Sequence, residues 1–215
     1  MNDDAAPRPL LQERAYDQLK KLIQEGDYPP GTFLSERRLA RGLGMSKTPI
    51  RAALTRLDIE GFVAVSPQQG IVVREPSLRE IVDMFDIRAA LESFVVRSIA
   101  GKLSAPQAAR LRKNLREQAG RARAGDGPGL TRLDADFHLL LCEFLDNQEI
   151  ARVMHRLRDK LHRVILRVMG AEGRLQSACR EHAAVAEAVL RGRGDLAAER
   201  MREHLEFGKR YLVSR

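Results

Sequence analysis

Asp134 and His138 stand four residues apart in TRLDADFHLLL, a spacing that stacks two side chains on one face of a helix. His182, in CREHAAVAEAVL, and His204, in AAERMREHLEFG, sit in similarly apolar stretches. Carboxylate oxygen and neutral imidazole nitrogen are donors for borderline divalent ions such as Zn, Ni, Mn or Fe. Brought together, the four residues would supply one oxygen and three nitrogens. Spacing leaves other readings open. A histidine on a half-apolar helix face is usually packed or solvated, and an Asp–His pair at i,i+4 is often a local ion pair. His155 and His162, seven residues apart, are equally visible as donors, and Cys179 lies one turn from His182.

A second chemistry is the recognition of anions. Arg88, in FDIRAALESFVV, could hold a carboxylate through two parallel charge-assisted bonds, or it could pair with Glu92 at i+4 on its own helix. In SERRLARGLGMSKTPIRAAL the charge has one sign, with six cations and no acid from Arg37 to Leu57. A solvated helix usually mixes signs, because like charges one turn apart repel. The missing anions are therefore expected on a partner, and phosphates fit. Arginine is abundant throughout the chain (30 Arg against 7 Lys), so a merely solvated helical hairpin remains an alternative at this level.

These residues need elements to hold them. Tyr16, Leu19, Leu22 and Ile23 give a helical stripe over about Leu10 to Glu25, which GDYPPG ends. Ser35 and Ser46 read as N-caps of two short helices separated by Gly44, with Pro49 in the first turn of the second. Phe62–Val65 and Ile71–Val73, joined through Gln69-Gly70, predict a β-hairpin. Helix, helix-turn-helix and hairpin make a winged helix-turn-helix. Its second paired helix would enter the DNA major groove amino-terminus first, presenting Ser46, Lys47, Thr48, Pro49 and Arg51, while Gln69 and Gly70 approach the backbone or minor groove. After Glu75-Pro76-Ser77, helices are expected near 77–101, 104–124, 129–145, 147–169, 173–191 and 194–213. Short connections between them predict an antiparallel bundle. The chain is thus mainly α: a DNA-binding domain over 1–74, a hinge at 75–77 and an all-α domain over 78–215.

The formal net charge of +8 over 215 residues invites an anionic partner, yet residues 1–76 carry 11 cations against 10 acids. The local pattern, rather than the bulk charge, marks the amino-terminal part. Two cysteines make no disulfide scaffold, the amino terminus lacks the apolar core of a signal peptide, and no run reaches 18 apolar residues. A cytoplasmic protein without membrane contact is expected.

The segment from Ala15 to Val73 resembles the winged-helix domain of the GntR family of bacterial transcription regulators. The resemblance is carried by PPG-x-x-LSER, LA-x-x-LG-x-S-x-TP-x-R-x-AL-x-x-L and EGFV before the wing glycine. It implies DNA contacts at Arg37, Lys47, Thr48 and Arg51, with Gly70 at the wing tip. Lys47 stands where Arg is usual, and Ala52 replaces the usual Glu, so orientation of Arg51 by that carboxylate is absent. Residues 78–210 resemble the FCD ligand-binding domain of the FadR-type branch, through D-x-x-x-H, EH-x-x-x-x-x-A and M-x-x-HL. That likeness implies a divalent ion (Zn, Ni or Mn) on Asp134, His138, His182 and His204, and an effector carboxylate on Arg88. Six helices suit the VanR-like subgroup. The expected function is a homodimeric regulator, a repressor, that binds a palindromic operator under control of a small organic acid. Two alternatives keep the same ligands: a regulator for which the ion itself is the signal, and a metal-dependent hydrolase, against which stands the absence of HExxH. A nonspecific architectural DNA binder is a further alternative, and no enzymatic activity is expected.

Overall fold

The computed structural model describes residues 10–66 and 70–214, which form two compact units dividing between Glu75 and Pro76. The first contains α1 (Leu11–Glu25), β1 (Phe33–Leu34), α2 (Glu36–Gly42), α3 (Lys47–Ile59), β2 (Val63–Ser66) and β3 (Gly70–Val73). Ala15, Tyr16, Leu19 and Ile23 on α1 bury against Ile50, Ala53, Leu54 and Leu57 on α3, both sets at helical spacing. Leu39 from α2 and Phe62, Val63, Ile71 and Val73 from the hairpin region close this core. The 3.6-residue pattern therefore folded as read.

The sheet departs from expectation. It has three antiparallel strands in the order β1-β3-β2, with Val63 opposite Val73, Ser66 opposite Gly70 and Phe33 opposite Val72. Two residues are too few for period-2 alternation to register, so β1 left no sequence signal. Backbone bonds just before it, Gly31 N–H to Val73 O (2.9 Å) and Val73 N–H to Thr32 O (3.0 Å), tie it in place. Gly70 has φ +81, a left-handed conformation suited to glycine at the start of β3. Gln69, the other expected wing-tip contact, lies outside the described residues. Ser35 and Ser46 occupy N-cap positions, but neither side chain makes a capping hydrogen bond.

The second unit is six helices: α4 (Leu78–Ile99), α5 (Ala105–Arg123), α6 (Gly127–Leu145), α7 (Gln148–Met169), α8 (Arg174–Leu190) and α9 (Gly194–Val213). Ser77 with Glu80 and Ser104 with Gln107 form capping boxes that start α4 and α5. Helix α6 begins two residues before the expected start. Asp126 accepts from Gly129 N–H at 2.8 Å, and Pro128 is tolerated in the first turn. A Cβ on Gly129 would meet the Asp126 carboxylate, which would have to move from its capping position. Helix α9 packs on α4 and α8, and α6 packs on α5 and α7. Phe137, Leu111, Leu130, Leu141, Leu161 and Met201 are fully buried, and so are the polar side chains of Glu92, Thr131, His182 and Gln118. Among the described residues no helix is long and apolar enough to cross a membrane.

Candidate metal centre and nucleic-acid interface

Buried polar side chains need partners, and those of the second unit converge on one point. Helix α6 carries Asp134 and His138, α8 carries His182 and α9 carries His204; all four are buried. One donor atom of each lies within 4.8 Å of the others. His204 Nε2 is 3.1 Å from His182 Nε2 and 3.3 Å from His138 Nε2. Asp134 Oδ1 is 3.4 Å from His182 Nε2 and 3.9 Å from His138 Nε2. Phe137 stacks on His182 with ring centroids 4.3 Å apart and fixes its plane.

The other ring nitrogens decide what this cluster can be. His138 Nδ1 meets the Glu92 carboxylate, and His204 Nδ1 lies 2.7 Å from Glu181 Oε2. A carboxylate only accepts, so both Nδ1 atoms carry the hydrogen. His182 Nδ1 is 2.7 Å from Gln118 Oε1; the Gln118 amide nitrogen donates to Asn114 Oδ1 at 2.6 Å, which turns its oxygen toward the imidazole. All three Nε2 atoms are then bare lone pairs, facing one another and an acid oxygen. No hydrogen bond can join two such nitrogens. A cation between them removes the conflict; separations of 3.1, 3.3 and 3.4 Å suit donors sharing one ion at about 2.0–2.1 Å, while Asp134 Oδ1 to His138 Nε2 is longer at 3.9 Å. The donor set fits a borderline divalent metal.

Burial favours the neutral form of two of these imidazoles, His182 and His204. Burial first, then neighbouring charge, pushes His182 well below the ordinary imidazole value. Burial also lowers His204, although its bond to Glu181 opposes this. Neutral imidazole is the form that binds metal. For Glu92 burial alone would raise the acid, but Arg88 and then His138 outweigh it and bring it down to about 2. Glu181 likewise falls to about 2, its bonds to His204 and Arg174 overcoming burial. Glu92, Gln118 and Glu181 therefore orient the three imidazoles. Sequence reasoning met Glu92 only as a partner for Arg88 and missed the other two; Glu181 at least adjoins His182, whereas nothing marks Gln118. Replacing Gln118 with Leu is expected to weaken metal binding about 10- to 100-fold. Competition with a chromogenic chelator measures this, and an unchanged affinity would reduce Gln118 to a space filler.

The remaining candidates separate. His155 is exposed, and half-buried His162 lines a cavity beside the cluster. Cys179 stays outside the donor group and packs near Ala122, Leu130, Met169 and Ala178; Cys142 is buried, and burial pushes both thiols up. Arg88 is buried and donates through Nε to Glu92 Oε1 at 2.8 Å, so the intrahelical pair forms. It also lines two cavities that share Arg88, Asp134 and Ile165. The first encloses about 360 Å³, partly open to solvent, and reaches His138, Met154, Arg158 and His162. The second, about 260 Å³, is bounded by Phe85, Arg174, His204 and Gly208.

In the first unit Arg37, Ser46, Lys47, Thr48, Arg51 and Gly70 are exposed. Pro49 is not: it is buried with Ile50 in the core and leaves the set of surface contacts, as an apolar ring one turn from Ala53 should. Position 52 carries Ala and offers no carboxylate to Arg51, but one reaches it from another helix. Arg51 forms a two-pronged bridge to Glu36, Nε to Oε1 at 3.1 Å and Nη2 to Oε2 at 2.9 Å. Glu36 immediately precedes the acid-free stretch, so a window starting at Arg37 hid the partner. Arg56 is likewise taken, by Glu60 at 3.1 Å, with its guanidinium 3.7 Å over the Tyr16 ring.

Residues 83–207 match the FCD domain, and residues 11–73 match the bacterial regulatory proteins of the gntR family. The chain belongs to the GntR family, FadR type. Similar relatives of this GntR-family protein are named transcriptional regulators. The HTH-type transcriptional repressor RspR of Escherichia coli (strain K12) is 26% identical over 200 residues, covering 93% of this chain and 88% of that protein. The uncharacterized HTH-type transcriptional regulator YdhC of Bacillus subtilis (strain 168) is 26% identical over 92% of this chain and 88% of its own length. Among solved structures, E. coli McbR/YncC superposes with a TM-score of 0.81 at 22% identity, over 96% of this chain and 99% of that one, a likeness of fold.

Proposed function

We propose that this GntR-family protein is a homodimeric repressor whose operator binding is set by a small organic acid bound at a divalent ion. Residues 1–74 read DNA, residues 75–77 link, and residues 78–215 sense and dimerise. Asp134, His138, His182 and His204 hold the ion, and its positive charge supplies affinity for acid oxygens. The observation that carries the reading is the convergence of three bare Nε2 lone pairs and an acid oxygen, each imidazole locked from behind. Six helices in the second unit support the VanR-like subgroup. Arg37, Ser46, Lys47, Thr48, Arg51 and Gly70 are assigned to the duplex, and two-fold symmetry gives half-sites about one helical turn apart. Cytoplasmic DNA is the target.

The test is footprinting on the DNA flanking its own gene, with zinc-loaded and chelated protein, each with and without a panel of small acids. The expected result is a palindromic footprint that an acid alters only when zinc is present. A response to zinc alone would favour the ion as the signal. Equal protection of all duplexes would make the protein an architectural binder.

A further inference from the structure

The net charge of +8 is unevenly placed. Residues 1–76 contribute one unit of it, so the helical unit carries the rest. Within that unit the excess lies on two helices: α5 has six cations against one acid, and α7 has six against two. Helix α9, of similar length, has four of each.

The two cationic helices arrange their charge differently. On α7, Arg152, Arg156, Lys160, Arg163 and Arg167 recur at i, i+4, i+8, i+11 and i+15. That spacing places all five within roughly 80° of the helix circumference and over about 22 Å of its length. Four of them are exposed and Arg163 is half-buried. No acid shares the stripe, and three like-charge pairs stand at i,i+4, where they repel. Arg152 is bridged by Glu149 at 2.8 Å, whereas Arg156, Lys160 and Arg163 have no ion pair among the described residues. On α5, by contrast, Glu143, Glu117 and Asp126 take Arg110, Lys113 and Arg121, and Ala119 and Gly120 interrupt the three cations left over.

The chemistry of the α7 stripe selects its partner. A second copy of this face would meet it with like charge. A lipid surface takes up a helix that can insert apolar side chains beside its cations, and those of α7 (Met154, Leu157, Leu161, Val164 and Val168) are buried in the core. A rod of phosphates asks only for cations at short intervals. B-DNA passes one phosphate per strand about every 3.4 Å, and four of the five side chains are arginines, whose planar forks suit phosphate oxygens. The first unit brings such a rod: a duplex it grips is at high local concentration for the unit joined to it.

We infer that the outer face of α7 is a second contact with DNA, a sequence-independent clamp on the phosphate backbone. It rests on DNA binding by the first unit and is independent of the metal reading.

The test titrates full-length protein into a fluorescein-labelled duplex of about 60 base pairs and arbitrary sequence, by anisotropy over a KCl series. Wild type is compared with Arg152→Gln/Arg156→Gln/Lys160→Gln on α7 and with Arg112→Gln/Arg116→Gln/Arg123→Gln on α5, which removes the same charge from the other helix. Each lost phosphate contact flattens the salt slope by about 0.9. The α7 variant is expected to flatten it by about 2–3 and to bind about 10- to 100-fold more weakly at low salt, with the α5 variant within about threefold of wild type. Equal losses in the two variants, or an α7 variant indistinguishable from wild type, overturns the inference. So does stripe-dependent binding of phosphatidylserine vesicles with duplex affinity unchanged, which would make the face a membrane contact. Should the triple variant fail to fold, the single Lys160→Gln, at an exposed position, decides through an expected change in slope of about one. A wild type that binds no duplex at low salt overturns the DNA-binding reading beneath the inference, and that outcome is seen before any variant is made.

Discussion

Purified without an affinity tag, the protein is expected to carry close to one divalent ion per chain, and the His182→Ala/His204→Ala variant almost none. Each substitution removes a buried donor whose ring is already held for the purpose, His182 by Gln118 and Phe137, His204 by Glu181. Two donors remain on α6, too few for a closed structural site. Elemental mass spectrometry reads the content and thermal unfolding reads the consequence. With free zinc at about a thousand times its dissociation constant, native stability rises by about 4 kcal/mol, and chelation reverses it. The double variant is expected not to respond. Acid acts in the same direction. His182 and His204 are held below the ordinary value of 6.5, so below that pH the unfolded chain takes up protons that the native state refuses. Stability therefore falls as the pH drops below about 6.5, and is fully present above it. Wild-type protein that stays metal-free after incubation with zinc, nickel and manganese salts would sink the four-donor site.

Arg51→Ala is expected to abolish discrimination between operator and scrambled duplex, by about 1–3 kcal/mol at the base pair it reads. Free Arg51 is held by both prongs of Glu36, which fixes the guanidinium plane before DNA arrives and keeps that cation from wandering to phosphates. Glu36→Gln is the informative companion. It is expected to raise affinity for nonspecific duplex, by removing an acid that repels phosphate, and to narrow the gap to the operator. Titrations over a salt series separate the contributions, because a phosphate contact changes the salt slope by about one and a base contact leaves it unchanged. Equal weakening on both duplexes in Arg51→Ala would make Arg51 a phosphate clamp.

The helices of the second unit were legible because each is long and punctuated. Ser77, Ser104, Asp126 and Asn147 cap four helices at the expected breaks. Strand β1 was not legible, since two residues carry no period. Of the donors, only the Asp134–His138 spacing speaks locally; five histidines looked alike, and the motif resemblance chose among them. The supporting residues were hidden because they act across the chain. Glu92 reaches His138 over 46 positions and Gln118 reaches His182 over 64. A charge window opened one residue late concealed Glu36, and Pro49 was taken for surface because it sits among residues that are.

The order of the chain sets an order in time. The DNA-reading unit ends at Glu75, and the donors of the metal cluster follow at 134, 138, 182 and 204. A growing polypeptide folds its early units first and lengthens by about 5–20 residues per second. The first unit is thus complete many seconds before His204 is made, and a nascent chain lacking α9 cannot assemble the four-donor cluster. On the metal reading proposed above, an ion would seat only once the last helix closes onto α4 and α8.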